Sequence, residues 1–217
     1  TQIVLHGMGL QPSGFHFPLR GRHNIENALA ALAVMLLLEA SPAALATGLA
    51  SISPAPGRLE PVDPEGEAAR GFAVFVDFAH TPDALRVAQS AAREATREGG
   101  RLIVVFGCGG DRDRGKRPYM GAAVKSLADI AVLTSDNPRN EDPRAILDEV
   151  EVGFHGAVGH AELWREVDRR RALQMALDAA RPGDVVLVAG KGHETVQIIG
   201  AERRPFDDRS VVKELMA

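Results

Sequence analysis

The sequence predicts an α/β fold, a mostly parallel sheet with helices on both faces, preceded by the tail of a larger neighbouring domain. Three observations predict it. After a Pro-rich stretch at Ser53 to Gly57, short apolar runs alternate with stretches of helical length, the pattern of βαβ units. Runs such as Leu102-Ile103-Val104-Val105-Phe106 are apolar without alternation, as expected of strands covered on both faces. Loops rich in glycine and charge follow these runs, where open α/β sheets place their ligands.

Residues 1–20 predict a strand or hairpin, with Gly7, Gly9, Pro12 and Gly14 as turn formers. An Ala/Leu-rich helix follows to about Ala40, with Asn24 as N-cap and Asn27 one turn on. Ser41-Pro42 opens a second helix to about Ser51. Two helices and a hairpin hardly make a core of their own, so residues 1 to about 54 are expected to be part of a neighbouring domain. Ser53-Pro54-Ala55-Pro56-Gly57 predicts a linker, stiffened by its prolines and pivoting near Gly57.

Strands are expected at 72–78, 101–106, 130–134 and 185–189. Helices are expected from Thr81-Pro82-Asp83 to Glu98, over 117–128, from Asp142-Pro143 to near Gly153, over 168–180, and from Ser210 to the end. Residues 195–206 predict a hairpin.

The composition excludes several classes. Hydrophobic content is 45%, charged content 25% and net charge −4, without the basic surplus of nucleic-acid binding. One cysteine rules out an internal disulfide framework and suits a reducing compartment. The longest apolar run, Ala28 to Leu38, has 11 residues, too few to span a bilayer. No Cys/His spacing suggests a metal site. The chain begins at Thr1 and runs straight into a strand-like segment, so it is expected to be a fragment or processed product.

Four loops carry the chemistry. They are Asp77-Phe78-Ala79-His80-Thr81-Pro82-Asp83, Gly107-Cys108-Gly109-Gly110-Asp111-Arg112-Asp113, Ser135-Asp136-Asn137-Pro138-Arg139 and Gly190-Lys191-Gly192-His193-Glu194. Each follows a predicted strand, so one edge of the sheet should gather all four. Taken singly, the Asp136 loop also fits a plain turn, His80 a capping or packing role, and Cys108 a small space-filler. Arg112 and Arg139 at neighbouring strand ends would form a guanidinium clamp for a carboxylate. Glu194 adds an acid for an ammonium, and together they suit a zwitterionic amino acid.

These four motifs, with His23-Asn24-Ile25-Glu26-Asn27 and Gly57-Arg58-Leu59-Glu60, resemble the Mur ligases, in particular their diaminopimelate-adding members. The resemblance implies a Rossmann-like C-terminal domain over 57–217, preceded at 1–56 by the tail of the family's central ATP-binding domain. It implies a cytoplasmic, ATP- and Mg²⁺-dependent ligase of peptidoglycan synthesis that works through an acyl-phosphate. It implies a meso-diaminopimelate site at Arg112, Asp136, Asn137, Pro138, Arg139, Gly190 and Glu194. Asn24, Asn27, Arg58, Asp77 and His80 fall where the family meets the nucleotide, and UDP-MurNAc-dipeptide would be reached through domains outside these residues.

The family's phosphate loop is missing: Gly115-Lys116 and Gly190-Lys191 are followed by Arg117 and Gly192 rather than Ser or Thr. No catalytic residue or metal ligand is therefore assigned here, and the chain alone is expected to be inactive. The alternatives are a non-catalytic module binding an amino acid or cell-wall precursor, and the related folylpolyglutamate synthases, against which the Asp136-to-Arg139 loop argues.

Overall fold

The computed structural model describes residues 2–7, 10–19, 21–63 and 66–217, in two compact units, Thr1–Ala55 and Pro56–Ala217. In the first unit β1 (Gln2–Gly7) and β2 (Leu10–His16) pair antiparallel. Pro12 and Gly14 fall inside β2 rather than at a turn, and the turn residue Gly9 lies outside the described residues. Two helices follow, α1 (Arg22–Leu37) and α2 (Pro42–Ala50). The Ser41 hydroxyl caps α2, accepting from the Ala44 N–H, as the Ser-Pro pair predicts. Asn24 is not the cap of α1. The helix begins at Arg22, after Gly21 at φ 85°, and Asn24 already lies in its first turn. Phe17, Ala28, Leu32, Leu45 and Leu49 form this unit's core.

The second unit runs β3 (Glu60–Pro61), α3 (Glu67–Arg70), β4 (Ala73–Asp77), α4 (Pro82–Ala95), β5 (Leu102–Phe106), α5 (Lys116–Lys125), β6 (Ile130–Leu133), α6 (Pro143–Gly156), β7 (Glu162–Arg165), α7 (Arg169–Ala179), β8 (Val185–Ala189), β9 (Val196–Ile199), β10 (Glu202–Pro205) and α8 (Asp208–Met216). Its six-stranded sheet has the order β3-β4-β8-β5-β6-β7, parallel throughout except for the short β3. From β4 to β7 the chain crosses the sheet one way. It then returns through α7 to place β8 between β4 and β5. Right-handed crossovers put helices of opposite travel on opposite faces.

The two cores bear this out. Phe75, Leu102, Val104, Phe106, Leu133 and Leu187 pack with α4, α5 and α6. Their strand neighbours Val74, Val76, Ile103, Val105, Val132 and Val186 pack with α7 and α8. Each of β4, β5, β6 and β8 thus buries both faces, which is why its sequence shows no alternation.

Several predicted boundaries shift for identifiable reasons. Gly153 does not end α6. It is where α6 crosses α5: a methyl on Gly153 would sit 1.9 Å from the Pro118 carbonyl oxygen, and one on Gly121 2.1 Å from that of Val150. The last helix starts at Asp208 rather than Ser210, because the Asp207 carboxylate caps it by accepting from the Arg209 N–H at 2.9 Å. α4 stops at Ala95, short of Glu98. Gly57 is no free pivot. It is buried at φ 67°, and a Cβ there would lie 2.2 Å from the His193 amide nitrogen. β3, α3 and the edge strand β7 have no counterpart among the predicted elements. Among the described residues no helix is long and apolar enough to cross a membrane.

Candidate functional site

The loops after β4, β5, β6 and β8 emerge from four adjacent parallel strands, so they meet at one edge of the sheet. There they line a cavity of about 270 Å³ bounded by Phe78, His80, Gly109, Arg112, Lys116, Asp136, Asn137, Arg139, Gly190 and Glu194. Six of the seven predicted amino-acid-site residues line it. The seventh, Pro138, is buried in the same loop.

Arg112 and Arg139 flank Gly109: a methyl there would lie 2.9 Å from Arg139 Nη1 and 3.8 Å from Arg112 Cγ. Arg139 adopts φ 52°, and its Nη1 donates to the carbonyls of Gly110 at 2.8 Å and Asn137 at 3.3 Å. Its backbone is templated by β9, donating to the Ile198 carbonyl at 3.0 Å and accepting from the Gly200 N–H at 2.6 Å. Arg112 is exposed, with Nη1 on the Asp111 carbonyl at 3.1 Å.

Asn137 is buried. Its Nδ2 donates to Glu194 Oε2 at 2.8 Å and its Oδ1 accepts from the Ile198 N–H at 2.9 Å. Burial pushes the Glu194 carboxyl up, but the Asn137 amide and the Lys191 ammonium outweigh it and hold it below its ordinary range. Gly190, at φ 116°, leaves room for Asp136: a Cβ would meet Asp136 Oδ2 at 2.6 Å.

Buried charges fix the loops. Arg117 Nη1 and Nη2 grip Glu141 at 2.9 and 2.8 Å, Nη1 reaches Glu149 at 2.8 Å, and Nη2 the Gly109 carbonyl at 3.3 Å. Glu141 also accepts from the Asp111 N–H at 2.6 Å. Arg117 and this backbone bond pull its carboxyl down to about 2, against burial. On the other face Arg169 pairs with Asp208 at 2.7 Å, both side chains fully buried. It also donates to the carbonyls of Ser135 at 3.3 Å and Ala189 at 3.1 Å, at the ends of β6 and β8. Burial pushes the Cys108 thiol up to about 11, and its sulfur lies 3.1 Å from that of Met120, in keeping with a space-filling role.

Of the predicted nucleotide residues, His80 also lines this cavity, whereas Asp77 and Arg58 do not. Asp77 accepts from the Leu59 and Ala79 N–H groups, both at 2.7 Å, so its carboxylate braces the turn after β4. His80 lies edge-on to Phe78 at 4.5 Å, His193 lies 5.1 Å from the same ring, and the Arg58 guanidinium sits 5.1 Å from its centre. Asn24 and Asn27, three residues apart on α1, belong to the first unit.

Lys116, Gly109 and Phe78 line the cavity without having been singled out for it. Lys116 donates to the His80 carbonyl at 2.9 Å. Its place at the start of the helix after the glycine loop was the available signal. Arg117, Glu141 and Arg169 gave none, because their partners lie far along the chain.

A family model described as "Mur ligase, glutamate ligase domain" matches residues 57–192. The chain is 50% identical over 203 residues to the UDP-N-acetylmuramoyl-L-alanyl-D-glutamate–2,6-diaminopimelate ligase of Synechococcus sp. (strain WH7803), covering 93% of this chain and 40% of that protein. It is 47% identical over 220 residues to the protein of the same name from Gloeobacter violaceus, covering 100% and 43%. A solved structure of a UDP-N-acetylmuramoyl-L-alanyl-D-glutamate–2,6-diaminopimelate ligase superposes with a TM-score of 0.69 at 37% identity, over 94% of this chain and 40% of the other. The chain therefore spans about two fifths of the length of these relatives.

Proposed function

Since the chain belongs to the Mur ligase family, we propose that it is the amino-acid-binding part of a cytoplasmic, ATP-dependent ligase that adds meso-diaminopimelate to UDP-MurNAc-L-Ala-D-Glu in peptidoglycan synthesis. One observation carries the reading: two guanidinium groups, Arg112 and Arg139, line one small cavity with two carboxylates, Asp136 and Glu194. That layout suits a ligand bearing carboxylates and ammonium groups at once. Residues 57–217 are the amino-acid domain in this reading, and 1–56 the end of the ATP-binding one.

In the reaction, phosphorylation of the D-glutamate side-chain carboxylate by ATP gives an acyl-phosphate. The amine of the diamino acid attacks its carbonyl carbon and loses a proton as the amide forms and phosphate leaves. The part of this chain is positional. Arg139 and Arg112 take the far carboxylate, Glu194 the adjacent ammonium, and the walls hold the attacking amine in line. The exposed Arg58 guanidinium and the Phe78, His80 and His193 rings offer a surface for the nucleotide. Among the described residues no group of three or more His, Cys, Asp or Glu side chains gathers to hold a metal ion, and the reading gives this chain no Mg²⁺ ligand.

Lysine lacks the far carboxylate. It would forgo the charge-assisted bonds to Arg139 and Arg112, at a cost of about 1–3 kcal/mol. Calorimetric titration of the chain tests this. Heat is expected with meso-diaminopimelate and none with L-lysine, and Arg139→Ala should lower diaminopimelate affinity about tenfold or more. An Arg139→Ala chain that binds diaminopimelate as tightly as before would sink the reading.

A further inference from the structure

Lys191 is fully buried, yet the reading above gives it no task. Its Nζ lies 2.5 Å from the Val196 carbonyl oxygen, 3.2 Å from Glu194 Oε2 and 3.5 Å from Asn137 Oδ1. Asn137 Nδ2 donates to that same Oε2. The orientation of this amide is fixed independently, because its Oδ1 accepts the Ile198 backbone N–H. Both bonds to the Glu194 carboxylate thus fall on one oxygen, and Oε1 has no partner among the described residues.

We propose that Lys191 is a positioning residue of the amino-acid pocket, holding Glu194 by Oε2 so that Oε1 is presented to the ligand's ammonium. The idea rests on the proposed function for the identity of that ligand, though the hold on Glu194 stands without it. A packing role alone would need only the Val196 carbonyl. A buried ammonium is costly unless paired, and here its partner is a residue of the pocket. The other charged or titratable groups near Glu194 are Arg139 on the loop after β6, Arg112 and Lys116 around the start of α5, His80 after β4, and Arg169 on α7.

The first test needs no ligand. The Glu194 carboxyl is titrated by carbon-13 NMR in the full chain and in Lys191→Met. The wild type is expected to titrate below the ordinary range of about 4.3, and Lys191→Met about one unit or more higher. An unchanged midpoint overturns the proposal. If Lys191→Met does not fold, a wild-type Glu194 titrating at or above the ordinary value overturns it equally. The second test is a double-mutant cycle on meso-diaminopimelate binding. Lys191→Met should weaken binding about tenfold, with little further loss in a Glu194→Gln background. The same loss in both backgrounds would mark Lys191 as packing only and overturn the proposal. A wild type that binds no diaminopimelate, with the titration behaving as expected, would sink the proposed function and leave the hold on Glu194 intact.

Discussion

Arg169 and Arg58 carry the same guanidinium and serve the same edge of the sheet, in opposite ways. Arg169 is sealed beneath the loops, paired with Asp208 and bonded to the carbonyls of Ser135 and Ala189. Burial disfavours its charge, but Asp208 outweighs that and holds it above its ordinary value. Arg58 is exposed and rests on the face of Phe78. The first arrangement fixes loop backbones before a ligand arrives, which lowers the ordering cost of binding. The second leaves side chains free to adjust around one. Around the proposed amino-acid pocket, the loops after β5, β6 and β8 are built in the first manner, and the ring cluster after β4 in the second.

The largest expected effect lies on the sealed side. Asp208→Ala strands a buried charge and should cost about 3–5 kcal/mol in denaturant unfolding. Replacing both partners, Arg169→Met with Asp208→Leu, should recover most of that stability, since a well-packed apolar pair often matches a buried ion pair. Diaminopimelate binding should not recover, because the carbonyls at the ends of β6 and β8 lose their clamp. Recovery of both would show that Arg169 serves packing alone, and the contrast with Arg58 would fail.

A middling effect is expected from the Arg117 brace, and it depends on pH. Arg117 and the Asp111 N–H hold Glu141 down to about 2, while an unfolded glutamate titrates near 4.3. A carboxyl lowered by folding stabilises fully above its unfolded pKa, and that contribution fades as pH falls through the folded one. Stability should therefore drop between about pH 5 and 2. Glu141→Gln should flatten that slope in unfolding curves taken across the range. An unchanged slope would place the acid sensitivity in other carboxyls that the fold also lowers, Glu149, Asp184, Asp129, Asp207 and Glu194 among them.

What the sequence made legible follows from how local each signal is. β4, β5, β6 and β8 announce themselves because burial on both faces leaves unbroken apolar runs. The four loops are legible because glycine and charge at strand ends are themselves sequence features. β7 was missed because Glu162 and Arg165 at its ends are exposed and only Leu163 and Trp164 pack inward. Gly153 misled because a glycine that lets two helices touch looks, in sequence, like one that ends a helix. The braces were beyond reach for a different reason. Arg169 meets Asp208 across 39 residues and Arg117 meets Glu141 across 24, with no local pattern linking either pair. Most of the groups facing the cavity could thus be named from sequence, Lys116, Gly109 and Phe78 excepted, whereas those holding them in place could not.

The smallest expected effect is on the open side, and it sharpens the contrast most. Arg58→Ala removes an exposed cation–π contact and should cost no more than about 1 kcal/mol of stability. Diaminopimelate binding should be unchanged, since Arg58 does not line the cavity. If nucleotide binding by the proposed ligase nevertheless falls, Arg58 works through its free charge, and exposure is the condition of its use. A stability loss of about 2 kcal/mol or more would reverse that conclusion. Phe78, His80 and His193 would then depend on Arg58 for their arrangement, and the ring cluster would be as firmly built as the other loops around the cavity.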